Sequence, residues 1–593
     1  MLLVLIVLVV RLMTLGSLAI LDPSEGRYSV IGQSMLLSGN LVTPHTFENG
    51  ALVPFFAKPI LHSWLTASSF LLFGVNEFAA RLPSFAASIL IVFSLYSLLK
   101  KKQGDAIAIN SLLVLTSSAL FFIMSGSCLV DITLTLGTVL MCVGFGLLSF
   151  FDNNFHDRKR QLGGYIMFLG AAIGFLSKGP IAIVLAGGPI FLWLLTTKNW
   201  GILRRIPWIS GMIIFIGLTA PWFVLVEKVN PGFSQYFFVH ENLLRFISSK
   251  YGDRYGSGHR HPFGTIWLMY LAAFLPWSLF WVKAVIFNRK SLSLYRDHFR
   301  RYILLCALFP AIFFTVGKQT SIYYVIPGVP WMAALTALIV PVSISRLSID
   351  WVRITQRLVS SVAIMISVGL LIFGVFNDTK AIWLIIAALI IGTLSIGSIK
   401  LLVRLEDEPF DVEGYPRRFN ALTSPEREYV ASNFIATCAT SSVMVLAVFT
   451  SALSARISMH ESTRELIEKL KTSQNFHSSR PVFLRKIPHS AYFYSRLDAQ
   501  SEGIKAGDAK ENENIAAPQY PLNLGTLIEN KEELEATKPR YVVATKKDIK
   551  KMELIEKGWV SVETVGPWSI FEDVNRSSEN SGDAPLAEQP RQN

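Results

Sequence analysis

Long apolar runs set apart by short charged segments make up most of this chain, and that alternation decides what it can fold into. Segments such as 1–10, 382–397 and 433–453 are apolar almost throughout. A helix needs roughly 20 such residues to cross about 30 Å of hydrocarbon. Windows of this kind recur about thirteen times, the last at 433–453. Only 16% of the 593 residues are charged and 51% are hydrophobic, where a soluble domain carries about 25% charged. The expectation is an all-α polytopic membrane protein with about thirteen transmembrane helices.

A formal charge of +13 would also suit a nucleic-acid binder, because basic patches attract phosphates. The placement of the charge argues against one. Lys and Arg gather at 100–103, 158–160, 198–205, 288–301, 345–357 and 415–418, each between an even-numbered apolar block and the next odd one. The positive-inside rule puts all of these clusters in the cytoplasm. Cys128, Cys142, Cys306 and Cys438 lie in or beside apolar blocks without CxxC spacing and read as buried small hydrophobes. The N-terminal block lacks a basic flank and is interrupted by Arg11, so it reads as a retained first span rather than a cleaved signal.

With the N-terminus inside, the extracytoplasmic loops are 21–82, 125–131, 177–180, 227–263, 317–321 and a plain connector at 377–380. The division predicted is a transmembrane domain over 1–453, a soluble extracytoplasmic α/β domain over 454–574, and a disordered polar tail over 575–593. In the soluble part, PVFLRK, RYVVAT and VSVETVGPWSIFE read as strands and STRELIEKLK as a helix. Within loop 21–82, residues 25–37 and 61–73 carry apolar side chains at helical spacing and suit helices lying on the membrane surface.

Ionisable groups at a membrane interface are costly and usually mark function. Asp22, Glu25 and Arg27 follow the first span, where a carboxylate could deprotonate an acceptor or merely cap a helix. Asp131 opens the fourth span and is expected to converge with the Asp22/Glu25 pair. Lys58 and Lys178 sit among apolar residues before a proline or Gly-Pro, and either snorkel or bind phosphate as point charges. His240, Glu241 and Arg245 fall within about one and a half helical turns, so His240 and Arg245 could share a face. Arg245 offers planar donors for a phosphate. His240 could ligate a metal or carry a proton. Lys318 and Tyr324 stand at the turn before the tenth span. Together these residues gather cations and carboxylates on one side of the membrane.

The runs LDPSEGRYSVIGQSMLLSGNLVTPH, FFAKPILHSWL, FGVNEFAARLPS, LVDITLTL, FLSKGP, APWF, FFVHENLLRF and YYVIP occur in this order. They resemble the bacterial lipid A aminoarabinose transferases and the wider protein O-mannosyltransferase-like, C-type glycosyltransferases, over about 21–327. The resemblance implies the C-type glycosyltransferase fold with two juxtamembrane helices and a periplasmic C-terminal domain in the inner membrane. It implies transfer of a sugar, such as aminoarabinose or a hexose, from a polyprenyl-phosphate donor to a lipid A or glycan acceptor, with inversion. It assigns Lys58, Arg245 and Tyr324 to the donor phosphate with Arg27 nearby. Lys178, Glu241 and Lys318 are further candidates. It makes Asp131 the acidic residue of the second outer loop and His240 a metal-ligand position.

Two departures bear on these roles. Ser24 stands where the family's first-loop motif usually has aspartate, which leaves Glu25 or Asp22 to serve as the catalytic carboxylate, Glu25 being favoured. Ala57 stands where a glutamate usually helps hold zinc, so tight metal binding is not expected. The rival readings are a glycan polymerase or ligase, a multi-span transporter and a scaffold for the C-terminal domain. A transporter would show internal repeats and midplane charges. A scaffold explains none of the outer charges.

Overall fold

The computed structural model describes residues 1–48, 51–151, 157–248, 261–281, 297–317, 319–344, 461–472, 482–484, 487–495, 527–528, 541–552 and 559–573, with single positions between 361 and 539. Lys318, the connector at 377–380, the basic clusters at 345–357 and 415–418, most of the spans expected between 345 and 453, and the tail 575–593 lie outside the described residues.

The described part is mostly helical. Among the described residues, five helical stretches are long and apolar enough to cross a membrane: Glu77–Gln103, Val130–Ser149, Trp208–Val229, His298–Thr315 and Ile322–Val340. The chain is a multi-pass membrane protein. In chain order its first ten α-helices are α1 (Leu2–Met13), α2 (Ser24–Ser38), α3 (Leu61–Phe73), α4 (Glu77–Gln103), α5 (Asp105–Thr116), α6 (Ala119–Met124), α7 (Val130–Ser149), α8 (Asp157–Lys178), α9 (Ile181–Thr197) and α10 (Trp208–Val229). The helices expected in the first loop are therefore present as α2 and α3. Between them lies an antiparallel hairpin, β1 (His45–Glu48) and β2 (Ala51–Pro54), that the sequence reading did not foresee.

The third apolar block is not one continuous helix. It breaks between α5 and α6, where the Ser117 and Ser118 hydroxyls bond back to the carbonyls of Leu113 and Leu115 at 2.5 and 2.8 Å. Such back-bonding resupplies partners where the helical ladder is interrupted.

Antiparallel α7 and α8 approach through glycine. A Cβ added to Gly137 would strike the backbone of Gly174, and one added to Gly144 would strike Gly163 and Met167. Small residues let helix backbones come close where lipid supplies no hydrophobic drive. Because the pair is antiparallel, this packing sets the first turn of α7, with Asp131, beside the last residue of α8, Lys178.

The two ends of the bundle differ in chemistry. At one end Lys102 donates to the Phe150 carbonyl at 3.3 Å, Arg301 to the Thr196 carbonyl at 3.1 Å, and Trp193 to the His298 carbonyl at 2.8 Å. Among the described residues, this end holds those of the basic clusters at 100–103, 198–205 and 297–301 that the sequence assigns to the cytoplasm. The opposite end carries α2, α3, the hairpin and the C-terminal sheet.

That sheet has the order β4-β3-β5-β7-β6, built from β3 (Val482–Leu484), β4 (Leu527–Ile528), β5 (Tyr541–Thr545), β6 (Trp559–Val565) and β7 (Trp568–Asp573). Strand β3 runs parallel to β4 and β5, while β7 is antiparallel to β5 and β6. The three strand runs and the helix read from the sequence all appear, the helix as Arg464–Thr472. Val30 of α2, Phe70 of α3 and Phe493 of the helix His489–Ser495 share one buried cluster with Val543 and Ile570 of the sheet.

Candidate active site

Lys58 leaves the β2–α3 connection just before Pro59 and points its ammonium at a carboxylate from a distant segment. Its Nζ donates to Glu241 Oε1 at 2.5 Å and to the Ala57 carbonyl at 2.6 Å. Glu241 belongs to a π-helix, Gln235–Leu244, a wide-turned form that tends to occur at functional sites. One turn on, Arg245 Nη1 donates to the same Oε1 at 2.6 Å, and its Nε donates to Gln319 Oε1 at 3.0 Å.

A second pair lies alongside. Lys178 Nζ donates to Asp131 Oδ1 at 2.5 Å and sits 4.7 Å from the centre of the Tyr324 ring. Asp131 is in the first turn of α7, whose cap position is Leu129 with no side-chain cap. Its carboxylate is thus turned to Lys178 rather than spent on capping. Tyr324 is set by the 3-10 turn Ile322–Gly328.

Lys58, Lys178, Glu241, Arg245, Gln319 and Tyr324 line one cleft, with Leu134, Ile181, Leu185, Phe246 and Phe314 forming its apolar wall and about 650 Å³ of empty space counted to its mouth. Three cations here meet two carboxylates, which leaves one positive charge in excess. Burial drags the Lys58 amine down; Glu241 pushes it up, and Arg245 and Lys178 push it down again, to about 8. A low-dielectric cleft of excess positive charge beside an apolar wall suits an anion that carries an apolar tail.

The structure brings together Lys58, Arg245, Tyr324, Lys178, Glu241 and Asp131 from the sequence reading. It sends the first-loop residues elsewhere. Glu25, the favoured catalytic carboxylate, is clamped by Arg81: Nε and Nη2 donate to its two oxygens at 2.8 and 2.9 Å. The amides of Cys128 and Leu21 donate to it as well, at 2.9 and 3.0 Å. Burial alone would raise Glu25, but the Arg81 charge and these hydrogen bonds win and hold it below the usual carboxylate range. Such a group has its lone pairs committed, so the geometry gives it an architectural place.

Asp22 accepts from the Ser490 amide at 3.1 Å and from the Ser490 hydroxyl. It therefore ties the first loop to the C-terminal region, not to Asp131. Arg27 donates from Nε to His489 Nε2 at 3.4 Å and lies 6.0 Å from the Phe55 ring. Asp131 pairs with Lys178 rather than with Asp22 or Glu25, although Asp131 and Glu25 both lie near Tyr323. His240 stacks on Tyr236 with ring centres 6.0 Å apart, and it is Glu241 that shares a face with Arg245. Among the described residues no group of three or more His, Cys, Asp or Glu side chains is placed to hold a metal ion.

Three neighbours escaped the sequence reading. Tyr28 of α2 is raised by burial and feels Asp131, Arg27, Glu241 and Arg245, which places it between the two ion pairs and the first loop. Its adjacency to Arg27 was the available signal. His62, drawn by burial to about 4 despite Asp131, is a neutral imidazole with its ring 5.7 Å from that of Tyr28. Gln319, which holds Arg245, carries no pattern that marks it in sequence.

Residues 57–224 match the family described as dolichyl-phosphate-mannose-protein mannosyltransferase. Over 324 residues the chain is 28% identical to the undecaprenyl phosphate-alpha-4-amino-4-deoxy-L-arabinose arabinosyl transferase of Erwinia tasmaniensis, covering 54% of this chain and 55% of that one. A Pseudomonas fluorescens protein of the same name is 28% identical, covering 51% of each. The chain thus spans about half the length of the curated relatives it matches. The fold compares along nearly the whole chain with the crystal structure of ArnT from Cupriavidus metallidurans bound to undecaprenyl phosphate, at 18% identity, TM-score 0.67 and 97% coverage of both chains. The apo form of that protein gives 18% identity, TM-score 0.68, and coverage of 97% and 98%. The resemblance read from the ordered motifs is borne out by these matches.

Proposed function

We propose that this chain, folded like an aminoarabinose transferase, is a membrane glycosyltransferase that takes its sugar from a polyprenyl-phosphate donor. The observation that carries the reading is the cleft in which Lys58, Lys178 and Arg245 outnumber Asp131 and Glu241. A polyprenyl-phosphate sugar is a diester with one negative charge and an apolar tail. Its charge matches the excess, and the apolar wall suits the tail.

The reaction is a single displacement. An acceptor oxygen attacks the anomeric carbon as the bond to the phosphate oxygen breaks, and the electron pair leaves with the phosphate. Charge therefore grows on the phosphate in the transition state, where preorganised cations are most effective. Lys58 and Arg245 hold that phosphate, Tyr324 orients it, and Lys178 stands at its other side.

The acceptor follows from the state of the carboxylates. Glu25, Asp131 and Glu241 are each ion-paired. A hydroxyl acceptor needs a base to take its proton, whereas a phosphate acceptor is already ionised. Pairing of all three favours an acceptor phosphate such as that of lipid A, with Asp131 and Lys178 positioning it. The glycan polymerase or ligase reading would need a hydroxyl acceptor and is less well served. The positive-inside pattern supports an inner-membrane orientation with the cleft and the 454–574 domain extracytoplasmic, and about thirteen spans in all. Mass spectrometry of envelope lipids and glycoproteins from cells with and without the gene tests this. The expected result is loss of a glycosylated lipid phosphate. An unchanged lipid profile with a lost glycan polymer would overturn it.

A further inference from the structure

We infer that Glu241 is the counter-ion that keeps Lys58 charged while the cleft is empty, and that it yields Lys58 and Arg245 to the donor phosphate. The inference rests on the donor-phosphate reading and explains a carboxylate which that reading leaves unaccounted for. An anion in an anion site competes with the ligand, so a bound carboxylate there needs a purpose.

The geometry supplies one. Lys58 and Arg245 converge on the same oxygen, Oε1, at 2.5 and 2.6 Å, and the Glu241 side chain is only 4% exposed. The other charged groups acting on Lys58 are Arg245 and Lys178, with Asp131 and Tyr324 against Lys178, and Tyr28 on α2 near Glu241 and Arg245. Its closest cationic neighbours oppose its proton, and Glu241 is the carboxylate that bonds to it, beside the neutral Ala57 carbonyl. Without that carboxylate, a buried lysine beside two like charges sheds its proton. Arginine stays charged under the same conditions. Glu241 thus holds the lysine ready, and both partners of its shared oxygen are donors that a phosphate oxygen can take over with the same geometry.

The test uses the full chain in lipid nanodiscs and undecaprenyl phosphate as probe, with Kd measured at pH 6 and pH 8. Ratios of variant to wild type at each pH cancel the ligand's own titration. Glu241→Gln should bind as tightly as wild type or tighter at pH 6, where Lys58 regains its proton. At pH 8 it should bind about tenfold weaker or worse, the effect of a shift of about one pKa unit. Returning that sample to pH 6 should restore binding, which an unfolded protein would not do. Glu241→Gln combined with Lys58→Arg should bind at pH 8 as the single variant does at pH 6. An equal loss at both pH values, or no loss at either, would overturn the role given to Glu241. If Lys58→Ala binds like wild type at both, the donor-phosphate reading fails instead, and this inference with it.

Discussion

Two buried ion clusters stand at the same end of the bundle, and they have opposite meanings. In the first, Arg81 spends its N–H donors on Glu25 and on the carbonyls of Leu15, Leu18 and Ala19, at 2.6 to 2.9 Å. Guanidinium has five such donors, and each finds an acceptor. In the second, Lys58, Lys178 and Arg245 share two carboxylates beside an open cleft. The first cluster is closed and neutral, and it fixes where the first loop leaves α1. The second is charged in excess and open at its mouth, so it has something left to bind. Ionisable residues at a membrane interface are thus not equivalent evidence of function. Whether their charge is balanced decides.

The comparison breaks most sharply if function and stability fail to separate. Lys58→Ala and Arg245→Ala should each lower transfer by about 10²–10³, the usual loss when one transition-state donor is removed. Thermal unfolding in detergent should change little in both, because each leaves Glu241 with its other cation. Glu25→Gln should do the reverse. Breaking one side of a buried pair costs about 3–5 kcal/mol, so the expected outcome is poor yield and early unfolding, with residual protein still able to bind undecaprenyl phosphate. A stable, folded but inactive Glu25→Gln would return that residue to the catalytic role the sequence suggested.

A smaller effect sharpens the second cluster. In the empty enzyme Lys58 is protonated below about pH 8 and neutral above it. The grip on phosphate is therefore present below that pH and fades as pH rises through it. The KM for donor should climb above pH 8 while kcat changes less, and in Lys58→Arg the climb should vanish. Smallest of all, Gln319→Ala should raise KM by about tenfold or less, below the full value of one hydrogen bond to a charged group, since it only aims Arg245.

Much of the fold was legible because hydrophobic length is a strong signal. The apolar blocks, the two first-loop helices at Ser24–Ser38 and Leu61–Phe73, and the strands at Val482–Leu484 and Tyr541–Thr545 all follow from residue type and period. The break between Thr116 and Ala119 did not, because Ser-Ser is compatible with a continuous helix, and the tertiary bonds Trp277 Nε1–H to the Ser117 hydroxyl at 3.0 Å and the Ala119 amide to the Leu275 carbonyl at 2.9 Å cannot be read from it. The site was half legible. Lysines flanked by apolar residues before a proline or Gly-Pro stood out, and they do meet. The carboxylates misled because Asp22 and Glu25 lie close to Arg27 in sequence, while their partners, Ser490 and Arg81, are remote. Spacing cannot show which cation a carboxylate will find. Glu241, four residues before Arg245, was the ordinary helical neighbour, and the reading paired Arg245 with His240 at five instead.

The central claim, that excess positive charge in this cleft exists to hold a lipid-borne phosphate, is tested most directly by equilibrium binding of undecaprenyl phosphate to wild type and to Lys58→Ala. Loss of one charge-assisted hydrogen bond is worth about 1.5–3 kcal/mol, so affinity should fall by about ten- to a hundredfold and its dependence on salt should weaken. Equal affinity in the two proteins at low salt would contradict the account.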